Sequence, residues 1–190
     1  PLGIVDARPS MVRLPIAAQA GERVRRLLRE RGVPPQAPLI ALHPWTSNAR
    51  KQWPLERFLD LLRRCAGLPG VHVVVIGGPE HAQESRRMVA PHLAGLAHAH
   101  EVVGCCSLRE TAELLRRAEV VVSNDSGPVH LAAAVGAPVV ALFGLEDPGS
   151  VPDRWGPWGA GHTVIRRELS RITIEEVFGA LCAARRARTA

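Results

Sequence analysis

The chain has 190 residues, enough for one well-buried domain and marginal for two. Hydrophobic residues make up 46%, in runs well short of the roughly 20 that span a bilayer, and the N-terminus lacks the basic stretch and apolar core of a signal peptide. The net charge of +6 raises nucleic acid as a partner, but the arginines recur at helical spacing, as solvated helix faces do, and aromatics are only 4%, so no nucleic-acid partner is expected.

In chain order, a proline-punctuated opening leads to an amphipathic helix, "AAQAGERVRRLLRERG", ending at Gly32, and then to a linker, "VPPQAP". The chain opens on Pro1 instead of methionine, which suggests a processed product or a piece of a longer protein. From Pro38 the pattern turns regular. "PLIALHP" reads as a buried strand, "LERFLDLLRRCAG" as a helix, "VHVVVIGG" as a strand and "HAQESRRMVAPHL" as a helix. A short strand near "HEVVG" precedes "SLRETAELLRRA", whose start carries a capping box, Ser107 with Glu110. "EVVVSN" and "APVVALFG" are strands around the helix "GPVHLAAAVG"; a weaker strand "HTVIRR" and a closing helix from about Thr173 to Arg186 follow. The terminal "AARRARTA" reads as a solvated tail, with an acidic lipid surface as its alternative partner. Near-continuous apolar strands alternating with helices predict an α/β, Rossmann-like, doubly wound and mostly parallel sheet. Ligands of such sheets bind outside the carboxyl ends of the strands, where strand order reverses.

The unusual polar residues sit at those ends: "HPWTSNARKQWP", "GGPEHAQE", "SNDSGPVH" and "FGLEDPGSVPDRWGPWG". Ser126 and Gly127 open a helix, whose first N–H groups and positive dipole end suit a phosphate, and Gly127 allows close approach. The competing structural role is a plain helix cap from Asp125 or Ser126; a cap leaves His130, one turn in, unexplained. Lys51 is the only lysine among 24 basic residues, and it stands in a strand-end loop beside Thr46, Ser47 and Asn48. A compact ammonium on a flexible stem suits a phosphate whose charge changes during reaction. Gly77 and Gly78 fit an ordinary turn, and Glu80 or Glu84 could accept from a ribose or simply start the next helix. Of the four cysteines, Cys105 and Cys106 are adjacent, without CxxC spacing. Their spacing to His98 and His100 does not fit a metal centre, and reduced thiols in a cytoplasmic protein is the reading adopted.

"HPWTSNARKQWPLERF", "VVVIGGPEH", "SNDSGPVHLAAAVGAPVVALFG" and "DPGSVPDRWGPWG" resemble, in order and spacing, the C-terminal half of bacterial ADP-heptose:lipopolysaccharide heptosyltransferases, glycosyltransferase family 9. The resemblance runs from about Pro38 to the end. It implies the donor-binding domain of a GT-B enzyme that is metal-independent and inverts the anomeric centre, with an ADP-sugar as substrate and no cofactor. Residues 1–36 would be the end of an absent N-terminal domain plus a linker, 37–168 the nucleotide-sugar domain, and 169–190 the C-terminal helix. Lys51 matches the lysine at the donor phosphates, Thr46 or Ser47 the hydroxyl-bearing loop, and Asp125, Ser126 and Gly127 the element at sugar and diphosphate. His130 lies beside that element, Glu80 (or Glu84) near the nucleoside contact, and Gly77 in the same strand-end loop. Lys51 and Asp125 are thus the expected catalytic pair. The absent half would supply the lipopolysaccharide core acceptor site and the general base. The expected location is the cytoplasm, with peripheral contact at the inner membrane. Trp45 replaces the family's glycine after His-Pro, and is expected to narrow the pocket or rest against the nucleotide. The alternatives are a GT-B member using another sugar nucleotide and a non-catalytic nucleotide-binding module.

Overall fold

The computed structural model describes residues 14, 15 and 18–189; expectations for residues 1–13 lie outside them. The elements run α1 (Ala18–Glu30), β1 (Leu39–His43), α2 (Leu55–Ala66), β2 (His72–Val75), α3 (Ala82–Met88), α4 (Ala90–Leu93) and β3 (Ala99–Glu101). They continue with α5 (Leu108–Arg117), β4 (Val120–Asn124), α6 (Gly127–Ala134), β5 (Val139–Phe143), α7 (Pro152–Trp155), β6 (Thr163–Arg166) and α8 (Ile174–Thr189). The strands form one sheet in the order β3-β2-β1-β4-β5-β6, every neighbouring pair parallel. This is the Rossmann order, and it reverses between β1 and β4.

Side-chain alternation along each strand feeds two cores. On one face Ile40 and Leu42 of β1 join Phe58, Leu61 and Leu62 of α2 and Val177 and Leu181 of α8. On the other, Leu39 and Ala41 join Val24 and Leu28 of α1, Leu114 and Leu115 of α5, and Val129 of α6. Both faces of β1, β4 and β5 are therefore covered, which is why these strands read as unbroken apolar runs without polar alternation. Helix α1, which the resemblance implied to be the end of a preceding domain, is packed into this second core together with Val33.

Two elements differ from expectation. The helix predicted over "HAQESRRMVAPHL" breaks at Val89 into α3 and α4, because Pro91, at the start of α4, can neither donate to a continuing helix nor clear the preceding turn. The tail that reads as solvated is largely exposed, as expected, but it continues α8 as helix beyond Arg186. Arg185 Nε pairs with Glu119 at 2.7 Å, and Arg188 donates to the Arg116 carbonyl at 2.9 Å, so the arginines dock the helix. The predicted capping box at Ser107 and Glu110 is present in both directions. Among the described residues no helix is long and apolar enough to cross a membrane.

Candidate functional site

The carboxyl ends of β1 and β4 lie side by side, with His43 paired to Ser123 in the register. Asn124, fully buried at the end of β4, holds both ends of the loop that follows β1. Its amide donates to the Pro44 carbonyl at 2.8 Å, and its oxygen accepts the Trp53 backbone N–H at 2.9 Å. Trp53 is itself buried and donates its indole N–H to the Ile172 carbonyl at 3.0 Å, tying the loop to the approach to α8. Within the loop a short 3-10 turn, Ala49–Lys51, starts at Asn48, whose side chain accepts the Arg50 N–H at 3.0 Å. That turn aims Lys51 across the crevice.

Lys51 Nζ lies 2.8 Å from Asp125 Oδ2 and 3.9 Å from Asp147 Oδ2. Asp125 is only 6% exposed and also accepts the Ser150 hydroxyl. Asp147 accepts from the Asn48 amide at 2.9 Å through Oδ2 and from the Gly149 N–H at 3.0 Å through Oδ1. Three strand-end loops, after β1, β4 and β5, thus converge on one ammonium ion.

Ser126 is the N-cap residue of α6, yet its side chain does not cap the helix. The hydroxyl turns inward, 3.0 Å from Ser123 Oγ and 3.2 Å from His43 Nδ1. Asp125 is likewise engaged elsewhere, so no side chain of this loop caps α6: the Val129 N–H donates to the Ser126 backbone carbonyl at 3.1 Å, Pro128 has no N–H, and the Gly127 N–H is the first-turn donor left facing the cleft. Burial, aided by the nearby His81, lowers the His43 imidazole to about 3; it is a neutral hydrogen-bonding group at ordinary pH.

Of these groups, His43, Asn48, Lys51, Asp125, Ser126 and Asp147 line an open cleft of about 1080 Å³. All the residues expected at the site from sequence reach it: Thr46, Ser47 and Lys51 from the β1 loop, Gly77 and Glu80 after β2, Asp125 and Ser126 after β4, and Gly127 and His130 on α6. Of the two glutamates left open by sequence, Glu80 is on the cleft; Glu84 faces solvent and does not line it. Thr46 Oγ1 accepts the Asn48 N–H at 3.3 Å, a local role within the loop. A Cβ on Gly127 would meet no protein atom within 4 Å, whereas one on Gly77 would strike Trp45 Cδ1 at 2.6 Å. Trp45 is 1% exposed and lies under this wall, its ring stacked on His81 with centroids 5.1 Å apart.

Sequence reasoning did not single out His43, Asn124, Asp147 or Ser150. All four sit within or beside the polar strand-end segments, which was the available signal. Cys106 reaches the cleft, but burial pushes its thiol up to about 12, so it stays protonated. His98 and His100 group with His72, leaving Cys105 and Cys106 aside, and no set of three metal-ligating side chains is placed to hold an ion among the described residues.

The family model for glycosyltransferase family 9 (heptosyltransferase) matches residues 10–177. Lipopolysaccharide heptosyltransferase 1 of Escherichia coli O18:K1:H7 is 33% identical over 141 residues, covering 73% of this chain and 40% of that protein. A glycosyl transferase family 9 structure from Veillonella parvula superposes with a TM-score of 0.85 at 25% identity, over 98% of this chain and 57% of the other. E. coli heptosyltransferase WaaC with ADP gives 0.68 at 26% identity, over 80% and 46%. The chain therefore spans about half, or less, of the length of these relatives.

Proposed function

Because the chain belongs to glycosyltransferase family 9, the heptosyltransferases, we propose that it is the donor-binding half of a GT-B enzyme that transfers a heptose from ADP-heptose to a lipopolysaccharide core acceptor. The observation that carries this reading is the Lys51–Asp125 pair, 2.8 Å apart, beside the N-terminus of α6, which no side chain caps, at the strand-order reversal. The relative solved with ADP supports adenine as the base.

In this reading the diphosphate lies across the first turn of α6, where Gly127 leaves room for it, and Lys51 donates to its oxygens. The acceptor hydroxyl attacks the anomeric carbon from the face opposite the diphosphate, so the C–O bond to the leaving group breaks with inversion. Its proton passes to a base in the half of the enzyme reached through residues 1–36. Negative charge collects on the departing diphosphate, where Lys51 and the helix N-terminus are aimed; no metal ion is required for that role. Asp125 acts by holding the ammonium in place, and Glu80 stands where a ribose hydroxyl can be bound. Transfer takes place in the cytoplasm, at the inner face of the inner membrane where the acceptor is presented.

The test is calorimetric titration of this chain with ADP, UDP and NAD at matched salt, repeated with Lys51→Ala. Saturable ADP binding weakened by about 1.5–3 kcal/mol in the variant is the expected result. Unchanged ADP affinity in the variant overturns the site assignment, and binding of UDP in place of ADP moves the donor to another sugar nucleotide.

A further inference from the structure

Lys51 is the one Lys or Arg on the wall of the cleft among the described residues, and it faces more negative charge than it can balance. Asp125 lies at 2.8 Å and Asp147 at 3.9 Å, and Glu80 also lines the cleft. The second carboxylate is held there deliberately by geometry. The Asn48 amide grips Asp147 Oδ2 and the Gly149 N–H grips Oδ1, so both oxygens are fixed by neutral donors that leave the charge in place. Both Lys51 and Asp147 are about one-fifth exposed, in surroundings where screening by water is reduced.

A site for a doubly or triply charged anion would be expected to gather a second cation. This one adds an anion beside its single ammonium. An oxygen bound to Nζ at about 2.8 Å stays within about 7 Å of the Asp147 carboxylate, given its 3.9 Å distance from Nζ. Repulsion over that distance grows with each charge on the ligand. The two diphosphates that meet this site differ in just that respect. A sugar nucleotide is a diester, whereas the nucleoside diphosphate left after transfer has a terminal phosphate that carries up to about one more negative charge near neutral pH.

We propose that Asp147 is a specificity-determining residue of this site: its carboxylate sets the charge of the diphosphate that Lys51 accepts, favouring the sugar-nucleotide diester over the more highly charged free nucleoside diphosphate. The proposal rests on the donor-site reading above. Its functional consequence is weaker retention of product, with the attraction of Lys51 and the α6 N-terminus kept for the substrate.

The test compares ADP with the diester ADP-glucose by calorimetry, for the wild-type chain, Asp147→Asn and Lys51→Ala. Asp147→Asn is expected to tighten ADP about tenfold and ADP-glucose about threefold, narrowing the preference for the diester, with the gain shrinking as salt is raised. Equal gains for the two ligands, or no gain for ADP, overturn the proposal. If Lys51→Ala weakens ADP while Asp147→Asn changes nothing, this inference alone fails; if Lys51→Ala is without effect, the donor-site reading fails with it. Absence of binding by every form overturns both. Should thermal melting show that asparagine disturbs the loop, Asp147→Ser, which retains an acceptor near Gly149, gives the same comparison.

Discussion

Gly77 and Gly127 stand on the same cleft, two strand ends apart, and an added methyl would meet opposite surroundings. At Gly77 it would collide with the Trp45 ring at 2.6 Å; at Gly127 it would touch nothing of the protein within 4 Å. The first glycine is explained by the protein's own packing. The second is required neither by packing nor by a positive φ, since Gly127 is not among the left-handed glycines. Its Cβ position faces open space on the cleft, where the proposed function puts the diphosphate. The β2 loop is thus a wall packed against an aromatic ring from the β1 loop, and the β4 loop is a surface left bare. In the sequence Gly127 reads as allowing a ligand close approach and Gly77 as an ordinary turn glycine; that Trp45 occupies the space at Gly77 is not legible there.

The strongest way to break the comparison is to remove the wall. Trp45→Ala deletes a fully buried ring and the stacking partner of His81, and is expected to cost about 3–5 kcal/mol of stability, read by urea unfolding. Gly77→Ala alone should cost about 1–3 kcal/mol through overpacking. In the Trp45→Ala background that cost should largely vanish, because the atom it strikes is gone. Additive losses in the double variant would show that Gly77 is needed for its backbone and not for Trp45.

Gly127→Ala is the converse experiment. Its melting temperature should match the wild type, while ADP affinity falls by about 1–3 kcal/mol as the methyl intrudes on the ligand. A stability loss with binding intact would place the ligand elsewhere and turn the bare surface into an ordinary helix start.

The fold was legible almost throughout because apolar runs of strand length, separated by helical periodicity, admit few other arrangements. The misread parts have local causes. Pro91 divides α3 from α4 at a position where the apolar period continues, and nothing in the sequence shows that Arg185 and Arg188, on a largely exposed stretch of α8, reach Glu119 and the Arg116 carbonyl. The site was legible where an odd residue stood out, as Lys51 did in an arginine-rich chain. Asp147 and Ser150 did not stand out, because "DPGS" reads as a turn and only the sheet order brings the β5 loop back over β1 and β4. Asn124 looks like one more polar residue of a binding loop, yet it is buried and spans the loop that carries Lys51.

The smallest expected effect concerns the opposite edge of the sheet. His72 and His100 stack with ring nitrogens 2.8 Å apart, and His98 meets His72 edge-on. Burial first, then the neighbouring imidazoles, lower His72 below its usual 6.5 and bring His100 to about 4. The unfolded chain therefore takes up protons at a pH where the folded stack refuses them. The stack's contribution is complete above about pH 6.5 and is lost as pH falls toward 4. Carboxylates also titrate at the lower end of that window, so the informative quantity is a difference. Melting temperatures of wild type and His100→Gln should diverge least near pH 4 and most above 6.5. A constant difference across the range would mean that the stack takes up protons without penalty.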